Sequence, residues 1–290
     1  MNDIATRNKT NEILNKYNLT AKKNFGQNFL VDNNIVRNIV TKAEIDENTN
    51  VIEIGPGIGS LSQLLARQCK KLLCVEIDTR LKEVLEDTLS DFNNIEFIFA
   101  DFLQLDLVKL INEQFESNEK IVVVANLPYY ITTAILLKIF DVQEKIKIDS
   151  ICAMMQKEVG QRLSAQKDTK DYNSLTILTQ YYCDTKIVMK VPKKVFIPEP
   201  RVDSVVVQFT FKQPDLKPIN EQFFFKVLRT LFTQRRKTIL NNLNIIVNNK
   251  EQCKKYLNDL NFDAKLRAEN LSLNDIIIIS DYLYKEGYHD

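Results

Sequence analysis

The chain has 290 residues, 44% of them hydrophobic, and a formal net charge of +1. That length accommodates one large domain or two smaller ones with a core hiding ~75% of the unfolded surface, and the near-neutral balance argues against a wholly basic nucleic-acid binder. No run of ~18 apolar residues exists, so a transmembrane helix is excluded, and the single histidine, His289, stands next to the C-terminus, which removes Ser/His and Cys/His catalysis.

In chain order, MNDIATRNKTNEILNKYNLTAKK lacks the apolar h-region of a secretory signal, and a cytoplasmic location is expected. Apolar runs of strand length follow at 50–54, 71–77, 95–100, 120–125, 148–155, 186–191 and 202–211. Between them, SLSQLLARQC and TRLKEVLEDTL carry apolar spacing near 3.6 and read as helices. The alternation predicts an α/β fold, a doubly wound parallel sheet with helices on both faces. VDSVVVQFTF is expected to pair antiparallel at an edge. Past KQPDLKPIN (212–220) the patterns are helix-periodic only, which predicts domains at 1–212 and 213–290, the second all-helical. Cys69, Cys74, Cys152, Cys183 and Cys253 are odd in number and show no C-x-x-C spacing. They read as buried thiols of a reducing compartment, and no metal is expected.

The first strand runs into EIGPGIGSL, where Gly55, Gly57 and Gly59 form G-x-G-x-G, and Ser60 stands where a dinucleotide fingerprint needs its last glycine. Bare backbone there lets a ligand approach a helix N-terminus, although a tight turn would use glycine too. The second strand ends in Glu76, placed to take both hydroxyls of a ribose, and the third in Asp101. Acids at successive strand ends describe a nucleoside crevice. It suits S-adenosylmethionine at least as well as a dinucleotide, because no pyrophosphate needs cradling, and Glu53 would add a carboxylate near the sulfonium.

The fourth strand ends Asn126-Leu127-Pro128-Tyr129. The exocyclic amine of adenine is a poor nucleophile with two good N–H donors. The Asn126 side-chain oxygen and the Leu127 carbonyl are two acceptors that would hold those hydrogens and turn the lone pair toward a methyl donor. Pro128 biases Leu127 away from the α region and points its carbonyl outward. Tyr129 offers a stacking face, and Phe196 in the rigid KKVFIPEPRVDS loop is the expected second one, with core anchoring as its alternative. Tyr130 is expected to pack at the start of a helix over 131–140. Basic islands at 7–37, 186–201 and 226–237 carry six, five and five cations. Each alone reads as a solvated face. Together they make a composite binding surface plausible, with Arg235, Arg236, Lys237, Lys193, Lys194 and Arg201 as its candidate phosphate contacts.

With these residues assembled, the chain resembles the KsgA/RsmA family of small-subunit rRNA adenine dimethyltransferases over nearly its whole length. The resemblance rests on KKNFGQNFL, VIEIGPGIGSL, VEID, ADFL, NLPYY, MQKEVGQRL, FIPEPRVDSVV, LFTQRRKTILNNL and RAENLSL. It implies a Rossmann-like class I methyltransferase sheet, S-adenosylmethionine contacts from Asn28, Leu30, Gly55, Glu76, Asp101 and Asn126, and an rRNA-facing C-terminal module. GQNFL, an ordinary loop by composition, would close over the cofactor. It further implies N6,N6-dimethylation of two neighbouring adenosines near the 3′ end of small-subunit rRNA, on an immature 30S-type particle, by a monomer with no membrane attachment. Erm-type enzymes of large-subunit rRNA tend instead to N-I-P-Y and G-S-G. A non-catalytic binding role on the same scaffold is disfavoured by the intact acid and NLPY set, and an oxidoreductase by the missing third glycine.

Overall fold

Each apolar run of the first two-thirds becomes a strand of one seven-stranded sheet. The computed structural model describes residues 3–22 and 26–289, so Lys23, Asn24 and Phe25 of the KKNFGQNFL stretch lie outside the described residues. The elements run α1 (Arg7–Lys16), a short β1 (Phe29–Leu30), α2 (Asn33–Lys42), β2 (Thr49–Ile54), α3 (Ser62–Ala66), β3 (Lys71–Glu76), α4 (Lys82–Thr88), β4 (Ile95–Phe99), α5 (Leu107–Gln114), β5 (Lys120–Asn126), α6 (Thr132–Val142) and β6 (Ser150–Gln156). They continue with α7 (Lys157–Leu163), α8 (Ser174–Tyr182), β7 (Cys183–Val191), β8 (Phe196–Ile197) and β9 (Ser204–Phe211), then α9 (Glu221–Leu231), α10 (Ile239–Val247), α11 (Lys250–Asp259) and α12 (Leu273–Lys285). Helix starts follow their caps: Asp32 accepts from the Asn34 and Ile35 amides, Asp106 from Lys109, and Ser272 from Asp275.

The sheet order is β4-β3-β2-β5-β6-β9-β7. The pairs β4–β3, β3–β2, β2–β5 and β5–β6 are parallel. Every residue of β2 is buried, the polar Thr49, Asn50 and Glu53 included, as suits a central strand covered on both faces. From β2 the chain steps outward through β3 to β4, then returns to β5 and steps the other way. Right-handed crossovers therefore place α3 and α4 on one face and α5 and α6 on the other. On the first face Val51, Leu72, Val122 and Val124 pack with Val36, Ile39 and Val40 of α2 and Leu64 and Leu65 of α3. The alternate strand residues Ile52, Leu73 and Val123 are as deeply buried, as are Ile135, Leu136 and Ile139 of α6. The reversal between β2 and β5 opens a crevice beyond their carboxyl ends, where ligands of such sheets bind.

β9 departs from its expected edge position. It pairs antiparallel with β6, from Ser150↔Thr210 to Gln156↔Ser204, but β7 lies outside it. Burial explains the order: Ser204–Val207 and Phe209 are enclosed, whereas β7 exposes Lys186 and Lys190, charges that suit an edge.

By contacts the chain divides into Met1–Gly160 with Lys186–Phe211, and Gln161–Thr185 with Lys212–Asp290. Residues 161–185, expected in the first domain, thus join the C-terminal helices. Ile177 and Tyr181 of α8 enter an apolar cluster with Phe224, Val227 and Leu231 of α9 and Ile276 of α12, and the Tyr181 and Phe224 rings stand 5.3 Å apart.

Candidate active site

The turn after β2 needs its glycines. Gly55 and Gly57 have φ of +73° and +61°, and a Cβ on Gly55 would meet nothing within 4 Å, so the backbone there is bare. The Gly55 amide donates to the Val75 carbonyl at 2.9 Å, which pins the turn to β3. Glu76, 5% exposed, completes the junction: Oε2 accepts from the Gly57 amide at 3.1 Å and Oε1 from the Asp78 amide at 2.8 Å. Burial pushes its carboxyl above the ordinary value, and the amide bonds oppose that rise. Asp101, at the end of β4, caps the next turn through the Leu103 amide at 2.9 Å.

One cavity gathers these residues with the end of β5. Its lining includes Asn28, Leu30, Glu53, Gly55, Gly57, Glu76, Asp101, Asn126, Leu127, Pro128 and Tyr129. Asn126 Nδ2 donates to the Asn28 carbonyl at 3.2 Å, and this bond fixes the amide with Oδ1 free of partners among the described residues. The Leu127 amide donates to the Met154 carbonyl at 3.0 Å, and its own carbonyl accepts no hydrogen bond from the described residues. The Pro128 carbonyl, by contrast, is taken by the Ile131 amide and the Thr132 hydroxyl. Two adjacent acceptors are therefore open at the carboxyl end of β5. Beside them, the Tyr129 hydroxyl and Ser204 Oγ lie 2.7 Å apart, which holds the ring at the cavity wall.

Comparison with known proteins agrees with this arrangement. The ribosomal RNA adenine dimethylase family model matches residues 18–285. The chain belongs to this family. A ribosomal RNA small subunit methyltransferase A from Geobacillus sp. (strain WCH70) is 48% identical over 97% of this chain and 98% of its own length. Its counterpart from Anoxybacillus flavithermus is 47% identical over 99% of each. Among solved structures, a dimethyladenosine transferase from Plasmodium falciparum aligns with TM-score 0.75 at 25% identity, covering 90% of this chain and 98% of that one. The 23S rRNA methyltransferase ErmE aligns with TM-score 0.66 at 25% identity, covering 89% and 100%. Membership in the adenine dimethylase family implies a methyl donor of the S-adenosylmethionine type.

Several residues stand differently from their expected places in this rRNA adenine dimethylase. Phe196 is 1% exposed, pairs with Leu30 across β1 and β8, and belongs to the sheet core, so it presents no stacking face to the cavity. Tyr130, expected to pack, is 58% exposed. Glu53 lies on β2 rather than in the loop, is 1% exposed, and accepts from the Cys74 thiol at 3.5 Å. Burial pushes its carboxyl up to about 7, which makes it a poor standing counter-charge. Gly59, with φ +89°, faces Leu89 and serves the turn instead of the cavity. Ser204 was not singled out; its only trace in the sequence is the VDS ending of the proline-rich loop. Gln27 is a second addition: Nε2 donates to Asp78 Oδ2 at 2.9 Å, and Arg80 grips the same carboxylate through Nε and Nη2. With Asn28 bonded to Asn126, two adjacent residues of GQNFL are anchored, one beyond β3 and one at the end of β5.

The basic residues are unequal. Arg235 bonds the Lys170 carbonyl and pairs with Glu269 at 3.8 Å, and Lys193 pairs with Glu199 at 2.8 Å. Lys194, Arg201, Arg236 and Lys237 are exposed and form no ion pair among the described residues. All five cysteines are free and buried, and no metal-holding group and no membrane-length apolar helix occur among the described residues.

Proposed function

We infer that the protein transfers methyl groups from S-adenosylmethionine to N6 of two adjacent adenosines near the 3′ end of small-subunit rRNA, two to each, during maturation of that subunit. The observation that carries the reading is the pair of open acceptors, Asn126 Oδ1 and the Leu127 carbonyl, beside the tethered ring of Tyr129. The cytoplasm, an immature 30S-type particle as substrate and a monomeric enzyme complete the proposal.

The cavity fits the donor. The bare backbone at Gly55 and Gly57 admits close approach, and Glu76 keeps lone pairs for two ribose hydroxyls beyond the two amides it already accepts. Asp101 and Asn28 complete the contacts. When bound, S-adenosylmethionine supplies an electrophilic methyl carbon on a sulfonium.

The protein's own part is positioning and electrostatics. Tyr129 receives the extruded adenine on its face. In the first transfer Asn126 and the Leu127 carbonyl each accept one N6 hydrogen, which favours a pyramidal nitrogen and directs its lone pair inward. In the second, the one remaining hydrogen is held by one of the two acceptors. Pro128 holds Leu127 extended and so keeps its carbonyl aimed. The methylated amine is cationic and releases its proton to water, so a histidine base is not required. Basic side chains exposed around the fold hold the phosphate backbone.

Small-subunit specificity is supported by relatives of that name at 47–48% identity, against 25% for ErmE. Mass analysis of nucleosides after incubation with immature small and large ribosomal particles tests it. Dimethyladenosine on the small particle is expected. The same product on the large particle alone, or none on either, overturns the reading.

A further inference from the structure

Two consecutive tyrosines at the end of β5 face opposite ways. Tyr129 turns inward, its hydroxyl held by Ser204, which is 1% exposed. Tyr130 turns outward, 58% exposed, and its hydroxyl has no hydrogen-bond partner among the described residues. Its ring is nevertheless placed. A Cβ built on Gly26 would lie 3.4 Å from Cδ1 and Cε1 of Tyr130 and 3.5 Å from Cβ of Pro128. Gly26 and Pro128 both line the cavity. The ring therefore stands against the cavity rim, braced on the Gly26 backbone, with its remaining surface open to solvent.

An exposed aromatic at this place answers a specific need. Extruding one adenosine breaks its stack on the adjacent base and bares two faces, one on the extruded base and one on the neighbour it leaves behind. Tyr129 restores the first. The buried Phe196 supplies no second aromatic inside the cavity, and a base left at the mouth would otherwise face water. We propose that Tyr130 is the stacking platform for the nucleotide adjacent to the adenosine being methylated, and so helps select paired adenosines over isolated ones. This rests on the RNA adenine reading above. Because the two target adenosines are neighbours, the base on Tyr130 is itself the next substrate, held at the rim while its partner is inside.

The test uses the full-length protein and immature small ribosomal particles. Tyr130→Phe, Tyr130→Leu and Tyr130→Ala are compared with wild type for kcat, for KM toward particles and for urea unfolding. Tyr130→Phe is expected to keep the wild-type KM. Tyr130→Leu and Tyr130→Ala should raise KM about 5- to 30-fold while kcat stays within about twofold, as loss of one base–aromatic stack at an exposed site requires. Unfolding midpoints should be unchanged, because the side chain is mostly exposed. The proposal is overturned if Leu or Ala leaves KM within about twofold of wild type, or if Phe loses as much as Ala, which would mean a hydroxyl contact. Wild-type enzyme inactive on small particles would remove the functional reading and this inference together, whereas an active wild type with a normal Ala variant removes this inference alone.

Discussion

Glu53 and Glu76 stand on neighbouring strands, and their surroundings divide their work. Glu76 accepts two backbone amides and faces the cavity, whereas Glu53 is enclosed beside the Ser62 hydroxyl and the Cys74 thiol. Burial moves the Glu53 carboxyl from an ordinary 4.5 to about 7. Below the unfolded value both states are protonated and Glu53 adds no pH dependence. Between 4.5 and about 7 the unfolded chain ionises first, so stability falls as pH rises, by on the order of 3 kcal/mol across the window, and stays at that penalty above it. Glu53→Gln should flatten this fall in urea titrations from pH 5 to 8, and an unchanged slope would refute the assignment. Asn126→Ala removes one of the two open acceptors. Methyl transfer should drop on the order of 10²–10³-fold in single turnovers with donor affinity little altered, and activity within about threefold of wild type would sink the mechanism. Asn126, Glu76 and Asp101 were legible because strand ends fix where a side chain goes. Two of the three aromatics were not. Whether Phe196 turns to the core and Tyr130 to solvent depends on the Leu30↔Phe196 register and on packing at the rim, long-range pairings that local pattern does not encode.

At the scale of elements, the apolar runs identified every strand of the main sheet, most plainly β5 and β6, which are buried on both faces. Order was harder. β9 resembled an edge because Ser and Gln interrupt its valines, yet Ser204 serves Tyr129, and β7 supplies the charged border. The assignment of 161–185 failed locally too, as α8 carries apolar residues that fit either unit. Gly160 in α7 shows how tightly β9 is enclosed: a Cβ there would fall 2.3 Å from Cγ2 of Val205 and 3.1 Å from Cγ2 of Val207. Gly160→Ala should therefore destabilise by ~1–3 kcal/mol despite alanine's better helix propensity, and Val205→Ala in the same chain should recover part of the loss. Chemical unfolding of the three variants measures the coupling, and strict additivity would count against the contact. A second device is Lys138 of α6, whose ammonium donates to the Leu103 and Leu105 carbonyls at 2.7 and 2.6 Å. It ties the turn that follows Asp101 to the helix that follows the Asn126–Tyr129 segment. In Lys138→Met, KM for the methyl donor should rise several-fold, roughly the value of one charged hydrogen bond, with kcat less affected. An unchanged KM would show that the turn holds itself.

For the whole molecule, a net charge of +1 leaves no overall attraction to RNA, so binding must rest on cations that remain uncommitted once the chain has folded. Folding divides them. Arg235 and Lys193 are held by Glu269 and Glu199, and releasing them to a phosphate costs the pair already made. Arg236 and Lys237 in one unit, and Lys194 and Arg201 in the other, are exposed and unpaired among the described residues. Each phosphate contact to single-stranded RNA contributes ~0.7 to the slope of log affinity against log salt, and a little more for duplex. Neutralising Arg236 and Lys237 to Gln should lower that slope by about 1.4, and neutralising Lys194 and Arg201 by a similar amount. If both pairs touch one RNA, the fourfold variant should lose the sum of the two. Neutralising Arg235 and Lys193 should change the slope by distinctly less, although the number of charges removed is the same. Filter binding of immature small particles between roughly 50 and 300 mM salt reads all four variants on one scale. Equal losses from the paired and unpaired sets would mean that the folded ion pairs do not select which cations meet RNA, and would leave only total charge to account for binding.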